Sequence, residues 1–170
     1  MLHNKCFEIM KEFLKGYDKK IYGRSFLERI KLSQKNIALT LIELEKEGLL
    51  VSEKSGNRRY YSLNFLNPLT KDYLILFENM RKIEFLEKHK NLIDFSGKIS
   101  GEIVCIFGSY AKNKFNKNSD LDVFIVGKID SSKVRELGKT LGYDIQIFNL
   151  AFADFKKQLH SCCLYATLSL

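Results

Sequence analysis

Apolar positions along the first third of the chain recur first at helical and then at alternating spacing. Cys6, Phe7, Ile9, Met10, Phe13 and Leu14 share one broad helical face that ends near Gly16. Phe26, Leu27 and Ile30 predict a second, short helix, broken at Lys31-Leu32. Ser33 is a good N-cap for a third helix, in which Ile37, Leu41 and Leu44, with Ala38, form the buried stripe. Gly48 stops that helix as a C-cap. Leu49-Leu50-Val51 starts a strand, Ser55-Gly56-Asn57 turns it, and Arg58 to Leu63 returns as a second strand. Asn67-Pro68 then opens a helix, with proline at its first position. Its Leu69, Tyr73, Leu76, Met80 and Ile83 follow at spacings of four, three, four and three, an a/d-like seam. Such a seam serves equally for packing on its own domain or for pairing with a second copy. Residues 88–101 are polar and glycine-bearing and read as a linker.

The remaining pattern changes period. Glu102 to Phe107, Asp120 to Val126 and Tyr143 to Phe148 are short apolar runs that read as strands. Ser131 to Leu141 reads as a helix joining the second and third of these, ended by Gly142, and Phe152 to Leu170 as a final helix and tail over the sheet. The expected fold class is α+β. Its parts are an N-terminal helical and hairpin domain over 1–66, a connecting or dimerising helix and linker over 67–97, and a small mixed-sheet α/β domain over 98–170. No internal repeat or low-complexity stretch interrupts them.

Composition narrows the class. At 170 residues and 45% hydrophobic, the chain can build one or two cores. Cys6, Cys105, Cys162 and Cys163 lack metal or redox spacing, and His3, His89 and His160 form no ligand set. The cysteines read as reduced, which places the protein in the cytoplasm. No segment approaches a membrane span, and Lys5, Glu8, Lys11 and Glu12 break any signal-peptide pattern at the N-terminus. No membrane partner is expected.

The formal net charge is +8. Residues 1–66 hold 13 Lys and Arg against 8 Asp and Glu, so the first third carries most of the excess. Helix, helix, turn, helix and basic hairpin is the order of a winged helix-turn-helix, and Leu41 to Tyr61 resembles that family's helix end followed by an Arg-rich wing and a Tyr. The resemblance implies DNA as a partner. The third helix would enter the major groove through Ser33, Gln34, Lys35, Asn36 and Thr40, with Lys54, Arg58 and Arg59 on the wing. A winged helix can instead dock a protein or dimerise.

The chemistry-bearing motif lies downstream. Gly108-Ser109 ends the run Ile103 to Phe107. Ten residues separate Ser109 from Asp120-Leu121-Asp122. Glycine permits a close backbone approach, and Ser109 offers a hydroxyl and an N–H to a phosphate. Side chains alternate along a strand, so Asp120 and Asp122 share a face and repel unless a cation lies between them. Hard oxygen donors with room for water suit Mg²⁺, and two ions can clamp a phosphoryl-type transfer. Asp144 opens the third run as Asp120 opens the second. It is placed to complete the metal site or to accept a proton.

Gly108, Ser109, Asp120, Asp122 and Asp144 together resemble the minimal nucleotidyltransferases of the polymerase-beta superfamily, over about Lys98 to Leu150. Where that family typically reads Ala-Arg-Gly, this chain reads Ala111-Lys112-Asn113; Lys112 keeps a positive charge near the phosphates without arginine's fork. The resemblance implies an enzyme that transfers a nucleoside monophosphate, AMP from ATP, to a hydroxyl. Asp120, Asp122 and Asp144 would hold two Mg²⁺ ions, and Gly108, Ser109 and Lys112 the nucleotide. It further implies an antitoxin paired with a HEPN-type toxin, which the DNA-binding domain would autoregulate, and a homodimer is expected. The alternative is a transcriptional regulator whose nucleotidyltransferase domain only senses nucleotide or binds a partner. A small-molecule modifier is disfavoured, because no helical substrate domain follows the core.

Overall fold

A computed structural model describes residues 4–99, 101–112, 114–116 and 119–161, with side chains to 157. Asn113, Cys162, Cys163, His3, the His160 side chain and the expected C-terminal tail lie outside the described residues. The chain divides into two compact units, Met1–Glu84 and Phe85–Leu170.

In the first unit, α1 (Asn4–Phe13) buries Cys6, Phe7, Ile9, Met10 and Phe13, the face its spacing marks out. A two-residue strand, β1 (Ile21–Tyr22), follows, too short to leave a pattern in the sequence. The expected second helix is instead a 3-10 turn, Gly23–Glu28. Only Phe26 within it is buried, and Arg29 N–H bonds the Phe26 carbonyl at 3.1 Å. Short 3-10 pieces of this kind serve as connectors between longer elements.

α2 (Gln34–Lys46) starts where Ser33 Oγ accepts from Asn36 N–H at 3.3 Å. Ile37, Leu41 and Leu44 point inward as expected, but the fourth inward position is Thr40, while Ala38 is exposed. At 100° per residue, position 40 lies about 40° from 44 at one edge of the stripe, whereas position 38 has turned about 60° beyond 41 at the other. Gly48, at φ +75°, closes the helix. Its N–H bonds Glu45 O and the Leu49 N–H bonds Leu44 O, the paired bonds of a Schellman cap. β2 (Leu50–Ser55) and β3 (Arg58–Leu63) pair antiparallel across the Gly56-Asn57 turn, and β1 joins the free edge of β3, giving the order β1-β3-β2.

Asn67 Oδ1 caps α3 (Leu69–Lys88) by accepting from Leu69 N–H at 3.0 Å. The inward face of α3 within this unit carries Thr70, Leu74 and Phe77, with Phe77 stacked on Phe7 at 6.0 Å. Tyr73 and Met80 of the expected seam pack partly against this core. Leu69, Leu76 and Ile83 are exposed.

In the second unit, residues expected as linker contain α4 (Asn91–Lys98), whose Leu92 and Phe95 are fully buried. Two anchors three residues apart hold this helix, too few to show above its polar sequence. Strands β4 (Ile103–Ile106), β5 (Leu121–Val126) and β6 (Ile145–Leu150) form one mixed sheet in the order β4-β5-β6. β4 is antiparallel to β5, and β6 is parallel to it through the crossover helix α6 (Ser131–Thr140). Leu121, Val123 and Ile125 of the central strand are fully buried on one face. The alternate face carries Asp122 and Phe124. Between β4 and β5 the chain makes a single helical turn, α5 (Gly108–Ala111), and α7 (Phe152–Ser161) follows β6. Phe155 of α7 meets Phe124 at 6.2 Å.

Candidate active site

The sheet brings three loop ends to one place. β4 runs antiparallel to β5, so its last residues lie beside the first residues of β5, and Phe107 N–H bonds Asp122 O at 3.0 Å. β6 runs parallel to β5, so its start lies beside the same end, and Leu121 N–H bonds Asp144 O at 2.7 Å. Gly108-Ser109 therefore flanks the β5 carboxylates on one side and Asp144 on the other.

Gly108 is held in this arrangement by two constraints. Its φ is +69°, a region that glycine enters without penalty. A Cβ built there would strike the Asp122 carboxylate, coming within 2.8 Å of Cγ and 3.2 Å of Cβ. The glycine turn and the second carboxylate of Asp-x-Asp are thus in direct contact. Ser109 is half-buried, and its carbonyl accepts from Lys114 N–H at 2.9 Å, which ties the loop back onto the turn. Tyr110 anchors the turn from beneath. It is buried, stacks on Phe115 at 4.3 Å and 5°, and meets His89 edge-on at 6.0 Å. Burial pushes the Tyr110 phenol up from its ordinary value and the His89 imidazole down. Lys112 is exposed one residue past the turn.

On the β6 side, Asp120 and Asp144 line one shallow cleft of about 190 Å³ together with Ile145, Arg135 and Lys139. The two basic residues come from α6. Its C-terminal half reaches this end of the sheet because Gly138 lets it lie against β6: a Cβ there would stand 2.5 Å from Ile145 Cγ1 and 3.1 Å from Tyr143 O. Arg135 and Lys139 are not among the residues expected at the site. Their signal in the sequence is a basic pair four apart on the helix between two Asp-led strands.

Among the described residues no three Asp, Glu, His or Cys side chains form a ready-made metal cage. The donor set still fits Mg²⁺, which keeps several waters and takes one or two carboxylates together with substrate phosphates. Asp120 and Asp122 are the carboxylates that would hold it.

In the N-terminal unit the surface residues sort differently. Gln34 and Lys35 are exposed at the start of α2, and Lys54, Arg58 and Arg59 on the hairpin. Ser33 is exposed but its oxygen caps α2, and Asn36 is half-buried with its Oδ1 accepting from Lys5 Nζ at 3.2 Å. Thr40 departs from the expected DNA-facing set: it is 3% exposed, at the floor of a shallow hollow lined also by Lys5, Asn36, Leu39 and Glu43, and it cannot reach a groove. Leu39 and Ile42 are exposed on the same helix. Arg58 lies over the Tyr22 ring at 5.5 Å, and Arg59 stands 3.9 Å from Glu45.

Residues 86–163 match the family described as "Nucleotidyltransferase domain". A 47-residue stretch is 47% identical to a protein of Methanocaldococcus jannaschii named "Putative protein adenylyltransferase". That stretch covers 26% of this chain and only 38% of the relative's length. No solved structure matches the chain. No described helix is long and apolar enough to cross a membrane. The matched region takes in Gly108, Ser109, Asp120, Asp122 and Asp144, so residues 86–163 are similar to nucleotidyltransferase domains.

Proposed function

We propose that this domain transfers AMP from ATP to a hydroxyl on a partner protein. The contact between Gly108 and the Asp122 carboxylate carries the reading, because it sets the glycine turn directly against the second carboxylate of Asp-x-Asp. The Gly108-Ser109 turn and Lys112 hold the triphosphate. The acceptor oxygen forms a bond to the α-phosphorus, the bond from that phosphorus to the bridging oxygen breaks, and pyrophosphate leaves. Asp144, exposed at the β6 side, takes the acceptor proton. Asp120 and Asp122 would hold Mg²⁺, which when bound neutralises charge on the phosphate oxygens. The M. jannaschii relative's name supports a protein as acceptor. The small domain leaves the acceptor surface to a partner, for which a HEPN-type toxin is the proposed candidate. Incubation with that partner, Mg²⁺ and ATP labelled at the α-phosphate should label the partner. Label at the γ-phosphate should stay off it, and EDTA should abolish the transfer. Absence of α-label on any partner, with DNA binding intact, would return the protein to the regulator reading.

We further propose that the N-terminal unit is a winged helix that binds DNA and autoregulates this pair. The succession α1, β1, 3-10 turn, α2 and the β2–β3 hairpin supports it, with Gln34 and Lys35 at the exposed start of α2 and Lys54, Arg58 and Arg59 on the wing. Arg58→Ala with Arg59→Ala should weaken binding to duplex DNA and flatten the plot of log affinity against log salt by about two, near 0.9 for each phosphate no longer neutralised. An unchanged slope would mean that the wing faces a protein. A homodimer is proposed through α3, where Leu69, Leu76 and Ile83 are exposed at seven-residue spacing.

A further inference from the structure

We infer that Arg135 and Lys139 form an acceptor-binding edge that selects a hydroxyl flanked by acidic residues. The inference rests on the nucleotidyltransferase reading above. It starts from the asymmetry of the site. The phosphate-gripping turn Gly108-Ser109 reaches the β5 carboxylates from the β4 side. The cleft that holds Asp120 and Asp144 opens on the β6 side, where Asp144 stands as proton acceptor. A nucleotide held by the turn therefore leaves this cleft for the incoming hydroxyl. Its walls are two carboxylates, one Ile145 and two cations.

The cations are available. Arg135 and Lys139 are four residues apart on α6, so they project to the same side, and both are exposed. Among the described residues neither forms an ion pair within 4.0 Å, although Asp120 and Asp144 line the same cleft. Two cations beside carboxylates that must hold Mg²⁺ would weaken that binding if they served only the fold. An acidic segment on the acceptor matches them and leaves the carboxylates to the metal. Arg135 offers a planar fork to one acceptor carboxylate, and Lys139 a point charge to another. The gain is orientation as well as attraction, because the hydroxyl next to the acidic residues is brought to Asp144.

The test uses the full chain with Mg²⁺, ATP labelled at the α-phosphate, and two synthetic peptides. Each carries one tyrosine, flanked by glutamates in one peptide and by lysines in the other. The wild-type protein should label the glutamate peptide at least about tenfold more efficiently. Arg135→Ala with Lys139→Ala should abolish that preference, while affinity for a fluorescent ATP analogue stays unchanged. Equal labelling of the two peptides by the wild-type protein overturns the inference. So does a preference that survives in the double variant, or a loss of ATP affinity with the preference intact, which would assign the cations to the phosphates. If neither peptide is labelled, fluorescence anisotropy of the glutamate peptide decides. Binding that is lost in the double variant sustains the acidic-segment edge while the transfer reading fails, and equal binding by both proteins overturns it.

Discussion

Asp122→Asn is expected to lower nucleotide transfer by about 10²–10³-fold, the scale on which one preorganised electrostatic group contributes to a transition state. Thermal stability should hold or rise. Asp122 is half-buried and shares the strand end with Asp120, with Asp144 opening the neighbouring strand. Like charges this close in sequence and on one face repel, and a neutral amide of the same shape relieves part of that repulsion. The two readouts should therefore move in opposite directions, as at sites where function is kept at a cost in stability. A lower melting temperature with lost transfer would mean that Asp122 serves the fold. Asp120→Asn should behave alike, and the double variant should lose little more than either single one, because the pair acts as a unit.

Gly108→Ala is expected to cost about 10²-fold in transfer for a different reason. The substitution leaves every carboxylate in place. It adds one methyl group where φ is +69° and where the Asp122 carboxylate already stands. Either the turn or Asp122 must shift by the order of an ångström. Gly142→Ala separates the two causes. Gly142 has φ +83° but nothing within 4 Å of an added Cβ. It should lose only the left-handed backbone cost of about 1–2 kcal/mol in stability, with transfer unchanged. Equal transfer in the Gly108 and Gly142 variants would show that the contact with Asp122 does not matter.

The site is legible in the sequence because its chemistry is written as spacing. Gly108, Ser109, Asp120 and Asp122 sit at strand ends, where a two-residue period and a glycine are plain. Asp144 is legible as the opening of an apolar run. Arg135 and Lys139 are not, because a basic pair on an exposed helix face looks the same whether it meets solvent or a cleft. Only the close packing allowed by Gly138 brings that face to the carboxylates. In the N-terminal unit the long helices follow their apolar stripes. β1 does not show, since two residues make no pattern, and its role depends on pairing with Tyr60 and Tyr61. Thr40 runs against expectation because a threonine in a helix is equally at home inside or out, and its neighbours rather than its polarity decide. α4 is hidden by a polar sequence that two buried side chains outweigh.

The crossover from β5 through α6 to β6 bears on the order in which the molecule assembles. β2 and β3 close across two residues, and their pairing needs little chain to be gathered in. Leu121 can meet Ile145 only after the whole of α6 has formed and folded back. Such non-local pairing raises the entropy of loop closure and slows folding. Asp144 should therefore reach Asp120 late. During synthesis, the N-terminal unit can be complete while Asp144 is still apart from Asp120 and Asp122, so the unit proposed to bind DNA would be ready before the site proposed to hold a nucleotide.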